Sequence, residues 1–294
     1  MKQNVHHVSL FLLLFILQVI ACKKSVESGV NPGGISQHDT SQALQTPLVP
    51  FPVNPMQECN NAPDYGDSVL FAQPAGSTDS YAYPQNNQGV TGTYLSWPAG
   101  LSINPNTGAI DLTRSETGQR YAVAFVKGGT SDTCMSQLIV GGASYMDSVY
   151  ELSVSNTTSP PYFNANLNAP SSCQGNPGQG CQFDYNDFAM RQGIAIDRKT
   201  GYIDLVKTMK NEPFGPFPFN GETVYTTVFY KLDDQSNNAP QSIRLKLMYY
   251  NHTSDIPSAL LSAISGNIQH TIDNDLTTNG PSARPPIIII VRTH

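Results

Sequence analysis

The chain has 294 residues, a formal net charge of -6 and 13% charged residues, about half the usual share. So few Glu and Lys exclude a coiled coil or helical bundle, the acidic balance excludes a nucleic-acid partner, and 39% hydrophobic residues exclude a disordered acidic tail. Gly (23), Pro (22) and Tyr (14) point instead to a turn-rich, weakly charged, all-β protein.

Lys2 opens the chain, and Val8 to Ile20 form an apolar run broken by Ser9 and Gln18. The run is shorter than the ~20 apolar residues of a permanent membrane span and has the size of a signal-peptide core, so residues 1–21 read as a signal peptide. Val19-Ile20-Ala21-Cys22 resembles the lipobox of bacterial lipoproteins. The resemblance implies that the Cys22 thiol receives a diacylglyceryl group, that cleavage falls before it, and that the new amine is acylated. More than one buried chain, at ~0.8 kcal/mol per CH₂, anchors stably. The implied location is the outer membrane or cell surface, with the membrane as a partner through the lipid. Residues 22–50 then read as the lipidated Cys and a flexible linker, spanning roughly 30 Å root-mean-square as a coil.

Export implies an oxidising compartment for Cys59, Cys134, Cys173 and Cys181. Four thiols allow three pairings. Cys59–Cys134 with Cys173–Cys181 keeps each bridge within one expected domain, and such loops stabilise by ~4.5 and ~2.6 kcal/mol on the chain-entropy argument. Zinc is disfavoured because no C-x₂₋₄-C pair exists.

An internal repeat organises the rest. Residues 100–112 read GLSINPNTGAIDL and residues 193–205 read GIAIDRKTGYIDL, identical at seven of thirteen positions with an offset of 93. Asn104 or Asp197 can cap a tight turn through its side-chain oxygen, Gly108 or Gly201 supplies φ > 0, and Ile103/Ile110 or Ile196/Ile203 flank it. Strand-like runs follow each copy: Tyr121–Val126 and Gln137–Val140, then Val224–Tyr230 and Ser242–Tyr250. The period suits two domains of ~100 residues, placed at 51–145 and 146–294.

The stretch Gly-Leu-Ser-Ile-Asn-Pro-Asn-Thr-Gly-Ala-Ile resembles the motif of cadherin-like and putative immunoglobulin-like repeats of bacterial surface proteins. The resemblance implies two tandem antiparallel β-sandwiches used in adhesion, carbohydrate-related or scaffolding roles. Cadherin repeats bind calcium between domains. Asp233-Asp234 with Asn237-Asn238-Ala239-Pro240 is faintly similar, but the acidic strand-end motif is missing after Asp204-Leu205.

Short strands are expected at Val69–Ala72, Thr93–Ser96 and Val149–Val154, and the aliphatic run Ile287–Val291 reads as a fully buried final strand. One helix is expected near Ile256–Ser265, capped by Asp255, with Pro257 in its first turn, packing on an edge or end of the second sheet.

No catalytic pattern emerges. There is no G-x-S-x-G, His252 near Asp255 reads as a surface turn, and no acidic pair stands out among six Glu. The chain reads as a non-enzyme without cofactor or metal, Asp184-Tyr185-Asn186-Asp187 and Asp273-Asn274-Asp275 being Asx-rich turns rather than calcium loops. The unexplained feature is aromatic. Tyr81, Tyr83, Phe214, Phe217 and Phe219 are candidate binding residues for protein or glycan, although ~150–250 Å² of ring surface favours burial of Trp97 and of most of the Phe. The expected role is a lipid-anchored binding, adhesion or structural module, with carbohydrate binding in a polysaccharide uptake system as the alternative.

Overall fold

The computed structural model describes residues 60–74, 79–130, 133–153, 157–173, 180–273 and 285–292. The expected signal peptide, Cys22, the linker 22–50 and Cys59 lie outside the described residues.

The chain is mostly strand, with two α-helices among the described residues. In order they are β1 (Val69–Leu70), β2 (Tyr81–Ala82), β3 (Gly92–Trp97), β4 (Ile110–Asp111), β5 (Gln119–Lys127), β6 (Thr133–Val140), β7 (Ala143–Tyr145), β8 (Ser148–Glu151), β9 (Thr158–Ser159), β10 (Pro161–Phe163), β11 (Gln182–Phe183), β12 (Ile203–Asp204), α1 (Leu205–Lys210), β13 (Glu222–Lys231), β14 (Gln241–Tyr250), α2 (Ser258–Asp273) and β15 (Ile287–Val291).

Two sheets follow one another along the chain. The first has the order β1-β6-β5-β3, and the second β11-β13-β14-β15-β8. Small ladders β2/β4, β9/β12 and β7/β10 accompany them. One apolar core gathers residues from Tyr65 to Val140 together with Ala239. Another gathers residues from Ala143 to Ile290.

The repeated turn is closed by the same backbone bonds in both copies. The Asn104 Oδ1 accepts the Asn106 and Thr107 N–H groups at 2.9 and 3.1 Å, and Gly108 N–H returns to the Asn104 carbonyl at 2.8 Å. The Asp197 Oδ1 likewise accepts Lys199 and Thr200 N–H at 2.9 and 2.8 Å, and Gly201 N–H returns to Asp197 at 2.8 Å. Gly108 and Gly201 have φ of 71° and 75°, and Ile103–Ile110 and Ile196–Ile203 form matching bridges. Three residues past each motif's end the parallel persists: Ser115 Oγ accepts Ser102 N–H, and Thr208 Oγ1 accepts Ala195 N–H, both at 3.0 Å.

Tertiary packing fixes these turns. A buried tyrosine ahead of each copy donates its hydroxyl to the turn glycine, Tyr65 to the Gly108 carbonyl (2.6 Å) and Tyr145 to that of Gly201 (2.5 Å). A ring lies flat against each glycine, so that a Cβ would come within 2.7 Å of Tyr94 or of Phe183.

The expectation of purely antiparallel sheets is corrected. β1 runs parallel to β6, and β15 runs parallel to both β14 and β8. In the second half β15 stands between β14 and β8, whereas β6 and β1 of the first half pair directly, and α2 lies on the connection between β14 and β15. A parallel neighbour requires a crossover, and a helix that makes one must lie over a sheet face. α2 therefore covers a face, not an edge or end: its Ile264, with Ile256 just before the helix, packs with Met248, Tyr250, Ile289 and Val291. Ile288 and Ile290 face the opposite core. Both faces of β15 are dry, which is why its sequence is unbroken Ile and Val.

The single expected helix is likewise corrected to two. Asp204 N-caps α1 by accepting Lys207 N–H at 2.8 Å, so the second copy continues as helix where the first, with Asp111 accepting Arg114 N–H at 3.2 Å, continues as a turn. α2 starts later than expected and runs longer. Asp255 does not cap it but accepts His252 N–H (3.1 Å) in the preceding 3₁₀ turn.

Candidate functional site

The halves are joined by specific polar contacts. The loop between β13 and β14 reaches the first half, where Asn237 Nδ2 donates to Gln73 Oε1 (3.0 Å), Gln73 Nε2 donates to the Gln235 carbonyl (2.9 Å), and Ala239 enters the first core. The fully buried Tyr230 hydroxyl meets Thr117 Oγ1 at 2.6 Å and accepts Ala143 N–H at 3.1 Å. Arg244 pairs with Glu116 at 3.0 Å. Burial, first of all, drives the Tyr145 and Tyr230 phenols well above the ordinary tyrosine range. These groups are structural.

Two of the acidic stretches are also structural. Asp184 is fully buried, and its carboxylate accepts Ala189 and Met190 N–H at 3.0 and 2.9 Å. Asp234 Oδ1 accepts Ser236 N–H at 2.8 Å. Asn274 and Asp275 lie outside the described residues. Among the described residues no group of three or more His, Cys, Asp or Glu is placed to hold a metal.

Cys173 and Cys181 form a disulfide. Cys134 is also disulfide-bonded, with its partner outside the described residues.

The candidate aromatics divide into three environments. Phe214 is buried against Tyr249, with ring centroids 6.0 Å apart, and is removed from the binding candidates; it closes the second core. Phe217 and Phe219 are 90% and 68% exposed. The expectation that most of these rings are buried is thus corrected. Both ends of their loop are tied down: Asn211 Nδ2 donates to the Gly193 carbonyl, Phe219 and Glu222 exchange hydrogen bonds, and Asn220 Oδ1 accepts Asn251 N–H at 2.7 Å. Pro216 and Pro218 fix their own φ and stiffen the backbone between the rings. Trp97 is half-buried on β3.

Tyr81 and Tyr83 stand exposed on the first half with ring centroids 6.2 Å apart. Beside them Arg114 bridges Asp79 (3.6 Å) and Asp111 (3.3 Å). The Asp111 carboxylate is the main reason that the Tyr81 phenol lies above its ordinary value; partial desolvation and Asp79 add to this, and Arg114 opposes it. Rings flanked by a carboxylate–guanidinium fork present stacking faces together with directional donors and acceptors.

Tyr225 is a further exposed ring (63%) that was not singled out from the sequence. It sits on the outer face of β13, opposite Lys246, whose ammonium lies 5.9 Å from the ring centroid. Farther along this face, Phe229 packs edge-on against Phe188 and Tyr185, and Lys231 lies over Tyr185. Period-two alternation of Val224–Tyr230 contained this signal, because Val228 and Tyr230 are buried on the other face.

No family model matches the chain. A comparison with curated proteins returns no match either. Among solved structures, the human protocadherin-24 EC1-2 structure aligns at 8% identity and a TM-score of 0.20, covering 61% of this chain and 92% of that one. A SusE-like surface located polysaccharide binding protein from the Bacteroides thetaiotaomicron heparin utilisation locus aligns at 9% identity and a TM-score of 0.22, covering 61% of this chain and 32% of that one.

Proposed function

We propose that the chain is a lipid-anchored, non-catalytic binding or adhesion module of two sandwich-like domains, 51–145 and 146–294, held off a membrane by the linker after Cys22. One observation carries the reading: Phe217 and Phe219 are displayed to solvent from a loop pinned at both ends and stiffened by proline. Rings kept out of the core on a backbone anchored at both ends cost little loop-ordering entropy on contact, which suits a recognition surface. Cells displaying the full chain should adhere to a cognate surface, and Phe217→Ala/Phe219→Ala should reduce this at unchanged display. Undiminished adhesion by that variant overturns the reading. The anchor is tested by fatty-acid labelling, which Cys22→Ser should abolish.

A second reading, glycan binding, is favoured by the Tyr81–Tyr83 pair beside Arg114, Asp79 and Asp111. It predicts glycan-array signal from the full chain that Tyr81→Ala/Tyr83→Ala removes, and a silent array argues against it.

A further inference from the structure

The two sheets differ at one edge. In the first half, β3 covers β5 along six residues, from Gly92↔Lys127 to Trp97↔Ala122. In the second half, β11 covers β13 only at Gln182↔Lys231 and Phe183↔Tyr230, although β13 is ten residues long. One further contact, Tyr185 N–H to the Phe229 carbonyl (3.3 Å), shows which way Phe229 points its backbone. Since direction alternates along a strand, Thr227, Tyr225 and Thr223 point their N–H and C=O groups to that same edge, and Val228, Thr226 and Val224 point theirs at β14. Among the described residues, none of these six edge groups has a backbone partner.

Edges are ordinarily blunted by Lys, Pro, a bulge or a cover. The segment Thr223-Val224-Tyr225-Thr226-Thr227-Val228 has no charge and no proline, and it is β-branched or aromatic throughout. We propose that a second copy of this chain pairs with this edge, β13 against β13, antiparallel about a two-fold axis at Tyr225. Three features select that partner and register. Row after row of backbone donors and acceptors accepts only another strand. A two-fold at Tyr225 sets Thr223 opposite Thr227 of the second copy and Tyr225 opposite its own counterpart, which places all six edge groups in hydrogen-bonded pairs. The cross-strand pairs are then Thr–Thr and Tyr–Tyr, which are favourable, with no like charges opposed.

The test is sedimentation of the full chain, carrying Cys22→Ser throughout and held in nonionic detergent. Paired strands of this length belong to the small, weak class of interface, so dimer should grow in over ~1–100 μM. Tyr225→Lys sets two ammonium groups at the axis and should shift the midpoint at least ~10-fold upward, with an unchanged far-UV spectrum because the ring is exposed. Thr223→Lys/Thr227→Lys should abolish dimer, whereas Thr223→Glu/Thr227→Lys should restore it, because only the antiparallel register sets position 223 against position 227. Amide exchange at Thr223, Tyr225 and Thr227 should slow as concentration rises in the chain whose β13 is unchanged, a readout that needs no β13 variant to fold. A monomer throughout the range, equal behaviour of the two double variants, or concentration-independent exchange overturns the proposal.

Discussion

Gly201→Ala probes the join between the turn and the core. Gly201 holds φ 75°, and a Cβ there would stand 2.7 Å from the ring of Phe183. The left-handed backbone costs ~1–2 kcal/mol for alanine, and restricting the unfolded chain returns ~0.4–1. Phe183 is fully buried and stacks on Tyr230 with centroids 5.5 Å apart, so it cannot step aside freely. Displacing it adds ~1–3 kcal/mol, as overpacking does elsewhere. The sum is ~1–5 kcal/mol. Gly215→Ala is the matched control, with φ 84° and nothing within 4 Å of the added carbon, so that only the backbone part of ~1 kcal/mol applies. Urea unfolding followed by circular dichroism should place the Gly201→Ala midpoint below that of Gly215→Ala by roughly 0.5–1 M. Equal midpoints would show that the ring contact carries no weight and would refute the packing account of the turn.

Tyr145→Phe removes the hydroxyl bonded to the Gly201 carbonyl and should lower stability by ~1–3 kcal/mol in the same urea titration. Asp197 accepts Thr200 and Lys199 N–H, with the Thr200 backbone bond the largest cause holding its carboxyl below the ordinary value. The stability linked to its ionisation is present above the unfolded carboxyl value of ~4 and is lost as pH falls through the lower folded value. Asp197→Asn, which is what the first copy carries at Asn104, should keep the turn and flatten this acid dependence in melts between pH 5 and pH 2, on the order of the ordinary acid-denaturation range. Ile289→Ala empties a fully buried site between β15 and α2 and should cost ~2–5 kcal/mol by thermal unfolding. Phe217→Ala removes a ring that is 90% exposed and should leave the melting temperature unchanged within ~1–2 °C, separating its contact role from the fold.

The parts legible from the sequence are those governed by neighbours in the chain. Asn104 and Asp197 can cap only what lies two or three residues on, and Gly108 and Gly201 answer a local backbone need, so both turns were readable down to their hydrogen bonds. The unbroken Ile287–Val291 run could sit only where both faces are dry. Other features depend on residues far apart in sequence. Phe214 and Phe217 are three positions apart in one Pro-rich loop, and no local rule says that the first meets Tyr249 while the second meets water. Tyr65 and Tyr145 hold the turns from 43 and 56 residues away. The parallel insertion of β15, the helix laid over a face and the uncovered edge of β13 follow from strand order. Pairing order is decided by which apolar faces can be buried together in three dimensions, a competition among distant segments that residue-by-residue chemistry does not encode.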